Sequence, residues 1–212
     1  MKLSRELLKQ IDPYSGFLLL ISIWRPNPDD PDPEMPGLKQ QTLIFVPVKP
    51  EEACLCGSGQ PYQDCCRPKP LWQPICHNPG AQDYSLVVPQ EALFKRVDGA
   101  TLRERFRDDP RLVCVEDTPD SGFWILWGDP VVETEYGMIC FGDLELKPDN
   151  SLLVTAMSDT RMHILLDLLQ EIAADCLGPS PKITKDPPPV LQKPGQKSQR
   201  PRTGRFWRKR RN

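Results

Sequence analysis

Apolar residues recur along this chain with two different periods, and the changes of period mark out its elements. Leu3, Leu7, Leu8 and Ile11 fall at helical spacing before Asp12-Pro13, which predicts a short N-terminal helix. Phe17–Trp24 is an apolar run of strand length. Thr42–Val48 reads as a second strand, and the two make a hairpin across Arg25–Gly37, whose five prolines admit neither helix nor strand. Pro47 places the second strand at a sheet edge or ends it. Tyr84–Val88 predicts a strand. Gln90–Phe106 predicts a helix, with Leu93, Phe94, Val97, Leu102 and Phe106 toward one side and a possible break at Asp98-Gly99. Leu112–Val115 and Phe123–Trp127 are strands joined by the turn Asp117–Gly122, and Gly137–Leu146 and Leu152–Ala156 are strands flanking the turn Lys147–Ser151. A last helix runs from Thr160 to Leu177, capped by Ser158-Asp159 and stopped by Gly178-Pro179. Its apolar face holds Met162, Leu165, Leu166, Leu169, Ile172, Ala173 and Cys176, while Asp167, Glu171 and Asp175 repeat every four residues on another face that suits solvent.

Composition changes this picture at the C-terminal end. The chain has 25 prolines in 212 residues, roughly twice the usual share of about 5 %, and seven of them lie in Pro179–Asn212. Few apolar residues and charge of mostly one sign predict a disordered extension there. The formal net charge of −2 hides an asymmetry: residues 193–212 hold nine of the 27 Lys/Arg and none of the 29 Asp/Glu, which leaves 18 basic and 29 acidic residues, net −11, in the remainder. Arg200, Arg202, Arg205, Arg208, Lys209, Arg210 and Arg211 surround Phe206-Trp207. Guanidinium groups neutralise phosphates and rings such as Trp207 stack on bases, so RNA, the ribosome or an acidic protein surface is the expected ligand. Arg103, Arg105, Arg107 and Arg111 make a second basic run, but Glu104, Asp108 and Asp109 interrupt it and predict a self-paired surface.

The stretch Cys54–Cys66 holds half of the eight cysteines. Cys54 and Cys56 are separated by one residue, eight residues follow, and Cys65 and Cys66 are adjacent. This spacing suits a closed, four-coordinate Zn²⁺ site better than strained disulfides. Gly57 and Gly59 permit a tight turn with positive φ and bring amide N–H groups toward the sulfurs, and Tyr62 is available to cover the site. Cys76-His77 lies ten residues on and offers His77 as an alternative fourth ligand in place of Cys66; Trp72 is a second candidate cover.

At these residues the chain resembles the SEC-C motif, the zinc-binding element at the C-terminus of the SecA preprotein translocase. Cys-x-Cys, the Gly57-Ser58-Gly59 turn, the aromatic Tyr62 and the paired Cys65-Cys66 stand in register with it, and the Cys-Cys ending is nearer to stand-alone SEC-C proteins than to the translocase. The resemblance implies Cys54, Cys56, Cys65 and Cys66 as ligands. It also implies docking, since in the translocase this element contacts the SecB chaperone and the ribosome.

No Gly-x-x-x-x-Gly-Lys-Ser/Thr loop is present, so the translocase ATPase is not expected. Two histidines, no nucleophile elbow and a metal site without an open position argue against an enzyme. No segment reaches the roughly 18 apolar residues of a membrane span. Gly16–Trp24 has signal-peptide length, but Glu6 and Asp12 precede it and no small-residue cleavage site follows. With Cys76, Cys114, Cys140 and Cys176 read as scattered reduced core thiols, a cytoplasmic protein is expected. The expected architecture is α+β: an N-terminal helix and β-hairpin (1–50), a SEC-C-like zinc knuckle (51–68), a small antiparallel sheet with two helices (83–178) and a disordered basic tail (179–212). The expected function is that of a non-enzymatic zinc-binding adaptor contacting protein, ribosome or nucleic acid. The alternative is a purely structural zinc in a chain whose α+β body has an enzymatic or small-ligand role of its own.

Overall fold

The computed structural model describes residues 16–25, 38–79, 83–127, 138–189 and 191–193. The expected helix Leu3–Ile11, the connection over 26–37 and the basic residues Arg200–Arg211 lie outside the described residues.

Strands β1 (Phe17–Arg25) and β2 (Leu38–Phe45) pair antiparallel from Leu18↔Phe45 to Arg25↔Leu38, a hairpin as expected, though its second strand lies at 38–45 and not at 42–48. β2 stops two residues before Pro47, which has no amide to give a ladder. β3 (Leu71–His77) lies along β1 and parallel to it, with Phe17 opposite Gln73 and Leu19 opposite Ile75. β4 (Tyr84–Leu86) returns antiparallel on β3. The second half of the sheet is antiparallel throughout: β6 (Leu112–Asp117), β7 (Gly122–Trp127), β8 (Met138–Leu146), β9 (Leu152–Ala156) and β5 (Gln90–Phe94) are neighbours in that spatial order. β8 joins the halves, because Met138 and Ile139 pair with β1 while Gly142–Leu146 pair with β9. Both predicted hairpin turns form, the second with Asn150 at φ 56°.

Helices α1 (Gly99–Asp108) and α2 (Asp159–Ala173) pack on the second half and enclose its core, in which Leu102, Phe106, Trp124, Leu144, Leu165 and Leu169 are fully buried. Phe106 meets Trp124 edge-on at 5.2 Å between ring centres. Each such side chain contributes about 1.5–3 kcal/mol by leaving water. Among the described residues the fold is α+β with two helices, as expected.

Three expectations are corrected. Gln90–Phe106 is not one helix: Gln90, Ala92 and Phe94 alternate inward as a strand paired on both edges, and Asp98 starts α1 instead of interrupting it. Its carboxylate accepts from Thr101 N (3.2 Å) and Thr101 Oγ1 (2.8 Å), a helix cap. The final helix ends at Ala173, four residues early, and Leu168 and Arg161 join its buried face while Leu166 and Ile172 are half-buried. Pro179–Asn212 is not uniformly an extension. Lys182–Lys185 forms β10 on the edge of β5, and Leu191–Gln192 forms β11 on β3. β10 exposes every side chain and is held by backbone pairing, so no apolar pattern announces it. Of the scattered cysteines, Cys76, Cys140 and Cys176 are buried, whereas Cys114 is exposed on β6, which pairs on one edge alone among the described residues.

Arg161 is an unexpected core residue. Its guanidinium is buried, donates through Nε and Nη2 to the His77 carbonyl (3.0 and 2.6 Å) and stacks 4.7 Å from the Phe141 ring centre. It thereby clips α2 to the end of β3. Truncation removes two charge-assisted bonds to the His77 carbonyl and the buried guanidinium's stacking on Phe141, so Arg161→Ala is expected to lower unfolding free energy by about 2–4 kcal/mol. Urea denaturation followed by tryptophan fluorescence measures this.

Candidate metal centre

Parallel strands β1 and β3 need a long connection, and the knuckle is the last part of it. Val46 N donates to Phe17 O (3.3 Å) and Gln73 N to Gly16 O (2.9 Å), so the start of β1, the end of β2 and the start of β3 meet at one end of the sheet. Residues 50–68 sit on that end. Tyr62 N donates to Glu52 O and Cys54 N to Gln60 O (2.8 Å each), around a bridge of Ala53 with Pro61. A 3-10 turn at Tyr62–Asp64 then delivers Cys65 and Cys66.

The sulfurs of Cys54, Cys56, Cys65 and Cys66 all lie within 4.8 Å of one another. Cys56 Sγ is 3.5 Å from Cys65 Sγ, which is 3.7 Å from Cys66 Sγ. A tetrahedral ion with sulfur at about 2.3 Å sets its ligands about 3.8 Å apart, so the donor set has the size a metal requires. The four cysteines are free thiols and not disulfides. The cluster could hold a metal ion.

Electrostatics differ across the cluster. Burial pushes the Cys54 and Cys66 thiols up. Burial also acts to raise Cys56, but hydrogen bonds from Ser58 and from the Cys54 thiol outweigh it and bring Cys56 down to about 6. Gly57 (φ 78°) and Gly59 (φ 72°) adopt the predicted positive φ. The amides that reach sulfur are nevertheless those of Cys56 and Ser58, onto Cys54 and Cys56; Gly57 N donates to the Cys54 carbonyl (3.1 Å). Positive φ at Gly57 bends the chain so that the next amide, not its own, turns inward.

Tyr62 covers the site as expected. It is buried with Phe17, Ile75, Cys54 and Cys66, its ring 5.8 Å from that of Phe17. A Cβ on Gly16 would stand 3.0 Å from Tyr62 Oη, so glycine there lets the strand approach this closely. Trp72 does not share this role. It points to the opposite face of β3 from Gln73 and lies edge-on to Phe45 at 5.5 Å. Gln73 faces the cluster instead, with Oε1 3.0 Å from Cys66 Sγ, and Lys69 Nζ lies 3.4 Å from the same sulfur. The sequence gives neither a role at the site; Gln73, a polar residue between Trp72 and Pro74 in β3, is the available signal. Cys76 and His77 lie three and four residues beyond Gln73, about 10 and 13 Å farther along β3. Cys76 packs with Leu20, Val87 and Met157, and the His77 ring is edge-on to Tyr84. His77 is therefore not with the cluster.

The other charged candidates resolve into the body's own pairs. Arg103 and Arg107 both hold Asp117, Arg105 grips Asp175 with two bonds (2.5 and 2.8 Å), and Arg111 binds Asp109 and Glu171. The acidic positions on α2 and just beyond it are thus partly spent on the basic run of α1. His163 is exposed, and its Nδ1 donates to the Asp159 carbonyl (2.8 Å). Residues 52–68 match the family model of the SEC-C motif. No curated protein and no solved structure matches the chain. No helix among the described residues is long and apolar enough to cross a membrane.

These ion pairs define an acid response. Hydrogen bonds from Arg111 hold the Asp109 carboxyl below its usual range, those from Lys185 and Gln90 do so for Asp159, and those from Arg105 for Asp175. Folded values below the unfolded ones mean that the stabilisation is complete above a pH of about 4 and is lost as pH falls through the folded values. The urea midpoint is expected to fall below about pH 4, less steeply in Arg111→Gln.

Proposed function

We propose that this chain is a non-enzymatic, cytoplasmic zinc-binding adaptor. One Zn²⁺ on Cys54, Cys56, Cys65 and Cys66 would brace the end of the sheet and present the outer turn of the knuckle to a protein partner, of the chaperone, translocation or ribosome-associated kind. The observation that carries this reading is the convergence of four sulfurs within 4.8 Å inside a SEC-C match. Four thiolates fill a tetrahedral shell and leave no position for substrate, which favours architecture and docking over catalysis. The side away from the body supports docking, since Gly57, Ser58, Gly59, Gln60 and Pro61 are all exposed. In this reading the basic residues Arg200, Arg202, Arg205, Trp207, Arg208, Lys209, Arg210 and Arg211 add an RNA or ribosome contact.

A purely architectural zinc is favoured by a separate observation. Cys54, Cys66 and Tyr62 share one buried cluster with Phe17 of β1 and Ile75 of β3, so the ion would fasten the hairpin to the body with no partner involved, and any ligand role would belong to the α+β body.

Elemental analysis of protein purified without added metal is expected to give one zinc per chain, and Cys56→Ser to cut zinc retention against a chelator at least about tenfold. Absence of metal, or iron in its place, would overturn the zinc reading. Truncation after Lys193 retains every described strand and tests the tail. Co-sedimentation with ribosomes is expected to be salt-steep in the full chain and lost on truncation; sedimentation unchanged by truncation would leave the architectural zinc as the better reading.

A further inference from the structure

We infer that the metal centre latches the C-terminal strap: holding Cys66 in the four-sulfur cluster keeps β11 seated on β3. The inference rests on the reading of the cluster as a metal centre and adds to it a segment that the motif does not include.

The strap begins at β10 on the outer edge of β5, passes through Asp186 and Pro187–Pro189, and reaches β11 on β3. Its two strands stand at opposite ends of the hydrogen-bonded path β10-β5-β9-β8-β1-β3-β11. Lys185 and Leu191 are six residues apart, which spans about 20 Å at most. The curved sheet therefore brings the edges of β5 and β3 close together, and the strap closes the gap.

At its far end the strap has little of its own to hold it. β11 is two residues long, and Leu191, Gln192 and Lys193 are only half-buried. A pairing this short is marginal without outside support. The support comes from the knuckle's exit. Lys193 N donates to Pro70 O (3.1 Å) and Lys193 Nζ to Arg67 O (3.3 Å), while Leu191 and Gln192 pair with Trp72 and Leu71. All four anchoring positions lie within six residues of Cys66. The turn that presents them is closed on the cluster by Lys69 N to Cys66 O (3.2 Å) and Arg67 N to Tyr62 O (3.1 Å).

Charge works in the same direction. Four thiolates on a divalent cation leave a net −2, and Lys69 Nζ stands 3.4 Å from Cys66 Sγ, with the Lys193 ammonium one residue's backbone away on Arg67 O. A loaded centre attracts both lysines, and Lys193 is the last described residue of the strap. With Cys66 unrestrained, the carbonyls of Arg67 and Pro70 lose their fixed spacing and the strap loses its terminal anchor. Metal occupancy then sets where the eight further Lys/Arg of residues 194–212 begin their path.

Hydrogen–deuterium exchange on the full chain tests the latch, comparing zinc-loaded protein, the same protein after chelation, and Lys193→Gln, with zinc content measured in each. Chelation is expected to speed exchange at Leu191–Lys193 at least about tenfold while the amides of β7, β8 and β9 stay protected. Lys193→Gln is expected to keep its zinc and still exchange faster at these positions. Zinc that binds and departs without altering strap exchange would overturn the latch alone, as would equal acceleration in β7–β9. A chain that holds no metal would overturn the metal centre, and the latch with it.

Discussion

Strands that run parallel cannot be joined by a tight turn, and β1 and β3 run parallel with Phe17 opposite Gln73. The chain between them has to travel back to the end of the sheet where it began, and residues 50–68 complete that return. Everything near the candidate metal centre follows from this constraint. Phe17, Val46 and Gln73 arrive at one place, Gly16 leaves room for the Tyr62 ring, and a knuckle too small to enclose a core takes Phe17 and Ile75 from the sheet to form one. A metal at the four sulfurs would act on a joint of the sheet and not on an appendage.

Much of this was legible in the residues. The four-cysteine cluster could be read because cysteine spacing, two glycines and an aromatic are local features, and local features survive without knowledge of the fold. The hairpins at Asp117–Gly122 and Lys147–Ser151 were legible for the same reason. Gln90–Phe106 was misread because its first five residues carry a strand's alternation too short to outweigh the helical spacing that follows, and because Asp98 is equally at home breaking a helix and capping one. The strands at Lys182–Lys185 and Leu191–Gln192 were illegible in principle, since what holds them is another strand's backbone.

The partners of the cluster show the same division. Gln73 reaches Cys66 Sγ from β3 because the sheet folds back on the knuckle, whereas Lys69 reaches it locally from the turn that leaves the cluster. Arg161, a charged residue at a helix start, is buried by the junction of β3 with α2. In both cases one end of β3 is involved. This single strand carries the knuckle's inner wall at its beginning and the clip to the helical layer at its end.

The exposed strand β10 bears on how this sequence is free to drift. Lys182, Ile183 and Thr184 expose their side chains and contribute their main chain, while Lys185 also pairs with Asp159, so side chains are free to vary at the first three positions. Proline is the exception, because it removes the amide that the pairing uses. The prolines of the region obey that restriction, standing at Pro179, Pro181 and Pro187–Pro189, on either side of the ladder and never within it. In a diverged copy of this protein the strap would be recognisable by where proline is missing.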